Sequence, residues 1–497
     1  LIPLPNARAK LRRGENVPPN AERPKANLGA AMLSMTSLLR VAVQLAAIPL
    51  LARILGPYPY GVMAIAMPIA NTLASICDFG LSSIIIRYSD RIYENTGFWI
   101  AAAVTSITLT ALAITSYFLG AFVHPDTGRA LIALGMMLPL SCFMSIPIAR
   151  LTRNRRLGII ALGDGLGITL GLVAALYFAV NNFGFWSLVI QQLVILFMRA
   201  AIYISFSGFW PRLSINTRLA SLLISEGARV TGSNLFETAA RTVDNMLTGI
   251  LLGPRPAGAY TMAFQFARLP EMVLGGPLSM SIMGKAAAVH ETKPDAKEIY
   301  CSHLRGLAFI VVPAMTGLAA ISDDFTEVIL GPQWSGTGSI LRGLCGAGAF
   351  LALGTVNQAA LTSLGAYKDR LILSMILLIG VLAAVALGSL FDVIYLSYFI
   401  SVAYFCQFLV GVRLVSRRSA AAILPTALDL TITALSSALM FICITVLQAS
   451  AMLKTTPIFD LSVAIPFGVA TFLITSLILR GRSFFNQVAN LKNLFSS

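Results

Sequence analysis

The sequence predicts an all-α polytopic membrane protein. About 14 transmembrane helices form two pseudo-symmetric six-helix lobes, with two extra helices, around a central cavity. Three observations predict this: the composition, the alternation of charge between connections, and an internal repeat. Of 497 residues, 57% are hydrophobic and only 11% are charged, against about 25% in soluble domains. Mean hydropathy is +0.80. Such a balance excludes a soluble enzyme, a disordered scaffold and a small secreted disulfide-rich domain.

The elements follow in order. A membrane helix needs about 20 mostly apolar residues. Stretches that qualify run over 32–52, 61–86, 98–120, 129–149, 158–180, 185–206, 219–252, 258–284, 304–322, 339–364, 371–390, 392–412, 425–449 and 458–479. The connections are short and rich in Gly, Pro, Asn or charge, as in Gly56-Pro57-Tyr58-Pro59 and Asn181-Asn182-Phe183-Gly184. Gly163, Gly167 and Gly171 repeat every fourth residue, which lets two membrane helices approach closely. All four tryptophans (Trp99, Trp186, Trp210, Trp334) fall at or near span ends, as an interfacial belt requires.

Charge fixes the orientation. Residues 1–27 carry five prolines and six basic residues and lack an apolar core, so they read as a disordered basic cytoplasmic tail. With that tail inside, every second connection is cytoplasmic. The tails and those connections hold 26 of the 36 Lys and Arg residues. The opposite side holds four: Arg53, Arg129, Arg255 and Lys454. The net charge of +15 is therefore topology, not a nucleic-acid footprint. Both termini are placed in the cytoplasm. Span 219–252 carries several charges, but without it the later basic loops would all face outward.

Gly56-Pro57-Tyr58-Pro59-Tyr60-Gly61 recurs 197 residues later as Gly253-Pro254-Arg255-Pro256-Ala257-Gly258. Leu55 and Leu252, Ala66 and Ala263, Ala70 and Ala267, Leu81 and Leu278, and Ser82 and Ser279 match at the same offset. Each copy joins the first two spans of a six-span block, and both blocks start from the cytoplasm. The organisation is an N-lobe over 28–206, a linker over 207–218, a C-lobe over 219–415, two further spans over 425–480 and a cytoplasmic tail over 481–497. Two lobes around a cavity form the architecture of an alternating-access transporter.

No P-loop, zinc-protease or nucleophile-elbow motif occurs, and the histidines and cysteines lack metal-ligand spacing. The six cysteines read as small buried hydrophobes. No large soluble loop holds acidic metal ligands, so the chain is not expected to be an enzyme. No cofactor and no metal are expected. The chemistry lies instead in ionisable groups within spans, each costing at least about 2.5–3.5 kcal/mol at mid-bilayer. Six arginines are so placed: Arg40, Arg199, Arg229, Arg241, Arg268 and Arg342. The carboxylates are Asp78, Glu226, Glu237, Asp244 and Glu271, with Asp164 and Asp429 nearer span ends. At about 100° per residue, Glu226, Ser233, Glu237 and Asp244 fall within roughly 20° of one line, flanked by Arg229 and Arg241. Either this stripe lines a watered passage, or Glu226–Arg229, Glu237–Arg241 and Arg268–Glu271 are internal ion pairs. Arg40 and Arg199, whose own spans offer no carboxylate, either pair with Asp78, snorkel, or face the cavity. Unpaired guanidinium groups in a cavity would hold an anion such as a pyrophosphate.

Leu51-Ala52-Arg53-Ile54-Leu55-Gly56-Pro57, then Tyr60-Gly61 and Asp78-Phe79-Gly80-Leu81, resemble the opening of bacterial polysaccharide transporters. Similar pieces stand at Asp244 to Gly253, Gly258-Ala259-Tyr260, Leu330-Gly331-Pro332-Gln333-Trp334, and Asn357-Gln358 through Gly365. This is the Wzx-type oligosaccharide flippase family, within the multidrug/oligosaccharidyl-lipid/polysaccharide exporter superfamily. The resemblance implies a flippase of the bacterial inner membrane. It would carry undecaprenyl-pyrophosphate-linked oligosaccharide repeats to the periplasmic leaflet for exopolysaccharide or O-antigen synthesis. It also implies H+ or Na+ coupling, contact with membrane lipid, and work beside a polysaccharide polymerase and chain-length regulator. The six arginines are the candidates for the pyrophosphate and sugar cavity, and the five carboxylates for coupling. The alternative within the superfamily is a cation-coupled multidrug exporter. It would want an anionic cavity, which five carboxylates against six arginines disfavour.

Overall fold

The computed structural model describes residues 49–86, 90–275, 278–279, 281–282, 296–419, 423–449, 456–481 and 484. Among them there are helices and no strand. The N-terminal part contains α1 Pro57–Asp78, α2 Leu81–Ile85, α3 Arg91–Phe122, α4 Pro125–Leu134, α5 Met137–Arg153, α6 Leu157–Val180 and α7 Phe185–Ser207. Then follow α8 Thr217–Leu252, α9 Pro254–Ala267, α10 Ala296–Ala320, α11 Ser322–Leu330, α12 Thr337–Ser363, α13 Tyr367–Gly388 and α14 Val393–Ser419. α15 Ile423–Ala449 and α16 Pro457–Arg480 close the described chain.

Eleven helical stretches are long and apolar enough to cross a membrane, and they coincide with eleven of the fourteen expected spans. The other three have separate explanations. Most of span 32–52 lies outside the described residues, as does the tail over 1–27. Span 219–252 is α8, whose 36 residues make a rod of about 54 Å at 1.5 Å per residue. That exceeds a hydrocarbon core of about 30 Å, so the charged first turns of α8 can lie beyond it. The apolar stretch of α8 is Thr242–Leu252. Span 258–284 begins in α9 and continues as helix over 269–275.

The repeat is visible in the element order. A short helix follows the third span (α4, which opens the stretch of the fourth) and another follows the ninth (α11), and Pro125 and Ser322 that open them are 197 residues apart. α1 and α9 start alike: a glycine with positive φ (73° at Gly56, 89° at Gly253), then proline in the first turn. Both glycines sit where only a residue without Cβ is at ease, and proline suits a first turn because its missing N–H has no helical partner there.

Two large cores result. One gathers residues of α1, α3 to α7, such as Ile65, Leu131 and Leu188. The other gathers α9, α10, α12, α13 and α14, such as Tyr260, Leu344 and Ile400. α8 touches both: Ile250 packs on the first core, and Val243 and Leu247 pack on the second. Leu223 near its start joins a smaller cluster with Leu81, Ile85 and Phe209. α15 and α16 dock on α10 through Met440, Ile444, Phe472 and Phe309. Gly163, Gly167 and Gly171 bring α6 onto Tyr203 and Ile195 of α7, the close approach their spacing predicts. Four cysteines are buried; Cys406 is exposed and Cys443 half-buried, and all six are free thiols.

Candidate transport path between the lobes

The two motif copies meet. A methyl group added to Gly61 would overlap the carbonyl oxygen of Pro254, and one on Gly258 would overlap that of Pro57. Because Pro57 and Pro254, and Gly61 and Gly258, are repeat counterparts, the contact is reciprocal. It closes one end of the molecule backbone to backbone, at the junction of α1 and α9. Arg53, Arg129 and Arg255 stand at this end by the alternation of crossings; the opposite end carries most of the basic residues.

At the basic end, α1 stops at Phe79 and Gly80, both left-handed (φ 49° and 63°). The break presents Phe79 to Gly227 of α8 and Gly80 to Val230. Asp78 just before the break is half-buried, and its Oδ2 accepts a hydrogen bond from Ser82 Oγ at 2.8 Å. Next to Gly227 on α8, Glu226 is half-buried, and Arg229, two residues further on, is exposed without an ion pair among the described residues.

Between the two ends runs a polar line on α8 and α9. Asp244 is buried; its Oδ2 accepts from Tyr260 Oη at 3.1 Å. Beside it, Asn245 Oδ1 accepts from Thr261 Oγ1 at 3.0 Å. Tyr260 stacks on Phe264 at 5.9 Å, and the Arg268 guanidinium lies over the Phe264 ring at 5.6 Å. Arg268 Nη2 pairs with Glu271 Oε2 at 3.4 Å. The positions 260, 264 and 268 are one helical turn apart, which stacks their side chains. At the Asp244 end of the expected stripe the carboxylate is thus buried and hydrogen-bonded. Side chains of Ser233, Glu237 and Arg241, and all of Arg40, lie outside the described residues.

The remaining sequence candidates lie elsewhere. Arg199 Nε pairs with Asp164 Oδ1 on the neighbouring helix at 2.8 Å, not with Asp78. Tyr203 Oη donates to the same oxygen at 2.9 Å. The glycine-lined approach of α6 to α7 makes this pairing possible. Arg342 Nη2 pairs with Asp323 Oδ2 at 2.6 Å, and its Nε donates to the Ala319 carbonyl at 3.3 Å. It holds α11 to α12 near the sealed end. Trp334 departs from the expected interfacial belt. It is 2% exposed, and its indole Nε1 donates to the Ala52 carbonyl at 3.0 Å. An indole N–H needs an acceptor when buried, and the end of the first span supplies it.

Sequence reading missed a second group. Glu94 is fully buried at the start of α3 and takes Arg150 at 2.6 Å and Arg153 at 3.0 Å. Arg150 also donates to the carbonyl of Gly208 and lies 5.3 Å from the Phe209 ring. Asn95 and Trp99 bond the linker at Arg212 and Ser214. The linker over 207–218 is therefore fastened to α3. No local spacing announces this, because the partners lie more than 50 residues apart in the chain. Among the described residues, no group of His, Cys, Asp or Glu could hold a metal ion.

The family model described as polysaccharide biosynthesis protein matches residues 50–338. The chain belongs to this family. It is 24% identical over 320 residues to the succinoglycan biosynthesis transport protein ExoT of Rhizobium meliloti (strain 1021), covering 64% of each chain. It is 21% identical over 342 residues to the lipopolysaccharide biosynthesis protein WzxC of Escherichia coli (strain K12), covering 67% of this chain and 68% of that one. The match thus spans less than two thirds of the length of ExoT. Among solved structures, the lipid II flippase MurJ in an inward closed conformation superposes with a TM-score of 0.70 at 14% identity, over 91% of this chain and 98% of MurJ. An inward-facing multidrug resistance MATE transporter gives 0.57 at 15% identity, over 79% of this chain and 99% of that one. These likenesses show that the chain shares the fold of MurJ and of this MATE transporter. This is a multi-pass bacterial membrane protein.

Proposed function

We propose that this family member is a flippase. It carries undecaprenyl-pyrophosphate-linked oligosaccharide repeats from the cytoplasmic to the periplasmic leaflet of the inner membrane by alternating access, for exopolysaccharide or O-antigen synthesis. The reciprocal meeting of the two motif copies carries this reading. Two like lobes that touch through matching glycines can part and close again about their common axis, which a fixed pore does not require. The names of ExoT and WzxC support a polysaccharide precursor as the passenger.

In this reading the sealed end faces the periplasm, and the basic end and both termini face the cytoplasm. Arg229 and Arg268 are the guanidinium groups offered to the pyrophosphate. Arg229 is exposed beside the break in α1, and among the described residues Arg268 is held by Glu271 at 3.4 Å and the Phe264 ring. A divalent phosphate competes well for such a site, since charge-assisted forks to phosphate are strong. Arg199 and Arg342, each held by a shorter carboxylate pair, serve helix packing. Asp78 and Asp244 are the coupling carboxylates for H+ or Na+. A polysaccharide polymerase and chain-length regulator act on the delivered repeat.

The test is complementation of a strain lacking the gene, with polymer output measured at equal protein level. Arg229→Ala and Arg268→Ala are expected to cut polymer about tenfold or more, as removing a charged hydrogen-bond partner of about 1.5–3 kcal/mol does. Lipid-linked repeats should accumulate on the cytoplasmic side. Full polymer from both variants contradicts the pyrophosphate assignment; full polymer in the deletion strain itself contradicts the function.

A further inference from the structure

The motif Leu330-Gly331-Pro332-Gln333-Trp334 lies between α11 and α12, yet its bonds go to the other lobe. Trp334 Nε1 and Gln333 Nε2 both donate to the Ala52 carbonyl at 3.0 Å. Gln333 Nε2 also reaches the Arg53 carbonyl. Arg53 returns the contact: its Nε donates to the Ile329 carbonyl at 3.1 Å and its Nη2 to that of Val328. The Trp334 ring meets Tyr60 edge-on at 5.6 Å. Positive φ at Gly331 and Gly336 (94° and 85°) folds the segment so that both side chains point at the end of the first span.

Among the described residues, the other copy of the repeat has no such device. The residues 197 positions before Gln333 and Trp334 are Met136 and Met137, which offer no N–H donor. The counterpart of Ala52 is Gly249, which lies against Ile65 and Ala257. Gly56 is covered by Gln333, whose Oε1 would stand 3.2 Å from an added methyl; Gly253 has open space in its place. The symmetric glycine contact gives fit but no side-chain hydrogen bond. Among the described residues, the side-chain hydrogen bonds between this segment and the first span's end run through Gln333, Trp334 and Arg53. A cavity of about 550 Å³ opens beside it, lined by Arg53, Glu327, Gln333 and Thr456 among others, so water can reach its edge.

We propose that Gln333, Trp334 and Arg53 form a latch that holds the sealed end of the lobe interface shut and must release before that end opens. This regulates the transport path set out above and rests on that reading only for its place in a cycle. Its test needs no substrate. The purified full chain in lipid nanodiscs, with its native cysteines replaced, carries spin labels at Phe183→Cys and Leu390→Cys. Both positions are exposed, and they stand on connections at this end in different lobes. Pulsed electron-spin resonance then reads the distance between lobes.

Gln333→Met alone and with Trp334→Phe is expected to raise the long-distance population about tenfold, since each step removes side-chain hydrogen bonds and keeps an apolar side chain at the position. Gln333 is exposed, so the single variant leaves the core untouched. Arg255→Ala, at the same end but outside the latch, should leave the distances unchanged. Distances in both latch variants equal to those of the parent overturn the latch. A shift in distance together with normal polymer loss in the deletion strain supports both readings; a shift in a protein whose deletion leaves polymer intact supports the latch and overturns the passenger.

Discussion

The two copies of the Gly-Pro motif share a backbone and differ in what covers them. Gly56 and Gly253 hold nearly the same positive-φ conformation, and Gly61 and Gly258 press on each other's proline. Only the first copy lies under Gln333 and Trp334. Duplication alone accounts for the mutual fit, because two like surfaces related by an axis are self-complementary. It does not account for the bonding, which resides in one lobe's connection. Fit and hold are separate properties here, carried by different residues.

The strongest break in that comparison is Gly61→Val or Gly258→Val. Each forces a branched side chain into a backbone carbonyl, and overpacking of this kind costs about 1–3 kcal/mol or more. Because the contact is reciprocal, both variants are expected to lower polymer output and open the sealed end to a similar degree. Normal polymer from one and loss from the other would show that the contact is not symmetric in effect.

Gly56→Ala and Gly253→Ala sharpen it. Both place a Cβ in a glycine-only region, at about 1–3 kcal/mol. Gly56→Ala also presses on Gln333, so it should open the sealed end further than Gly253→Ala in the spin-label distances. Equal opening would mean that Gln333 holds nothing.

Trp334→Phe removes one N–H and leaves the Ala52 carbonyl with Gln333 as its remaining side-chain donor. A loss of about 1 kcal/mol is expected in thermal unfolding of the purified chain, and none if the indole bond is idle.

The smallest effect concerns how the latch is anchored. Asp324 on α11 accepts from Gln448 on α15 at 3.0 Å. Burial first, then the neighbouring Asp460 and Asp323 carboxylates, push its carboxyl above the usual range. A raised folded-state value means the folded chain binds the proton more tightly. The resulting stability is full below the ordinary carboxylate range and fades as pH rises through the raised value. Asp324→Asn should flatten the melting temperature across that window. An unchanged slope would show that this carboxyl does not couple to folding.

Much of the fold was legible because membrane helices announce themselves by length and composition, and because the offset of 197 tied Gly56 to Gly253. α8 was legible as a crossing only through the charge count; its length explains how it tolerates Glu226 and Arg229. Within the site, Arg268 and Glu271 could be paired from their three-residue spacing. Asp164 with Arg199, Asp323 with Arg342, and Glu94 with Arg150 could not, since those partners meet only when helices pack. Tyr260 escaped notice because an aromatic residue in an apolar helix reads as core until a buried carboxylate is found against it. Gln333 and Trp334 were visible as a motif, but their partners are main-chain carbonyls, which no sequence pattern marks.

The purified chain is reconstituted in liposomes with labelled undecaprenyl-pyrophosphate-linked oligosaccharide in one leaflet, and the fraction reaching the other leaflet is followed by its accessibility to an added glycosidase. Rapid transfer is expected of the parent protein, slowed about tenfold by Arg268→Ala. Transfer no faster than in protein-free liposomes would contradict the flippase reading.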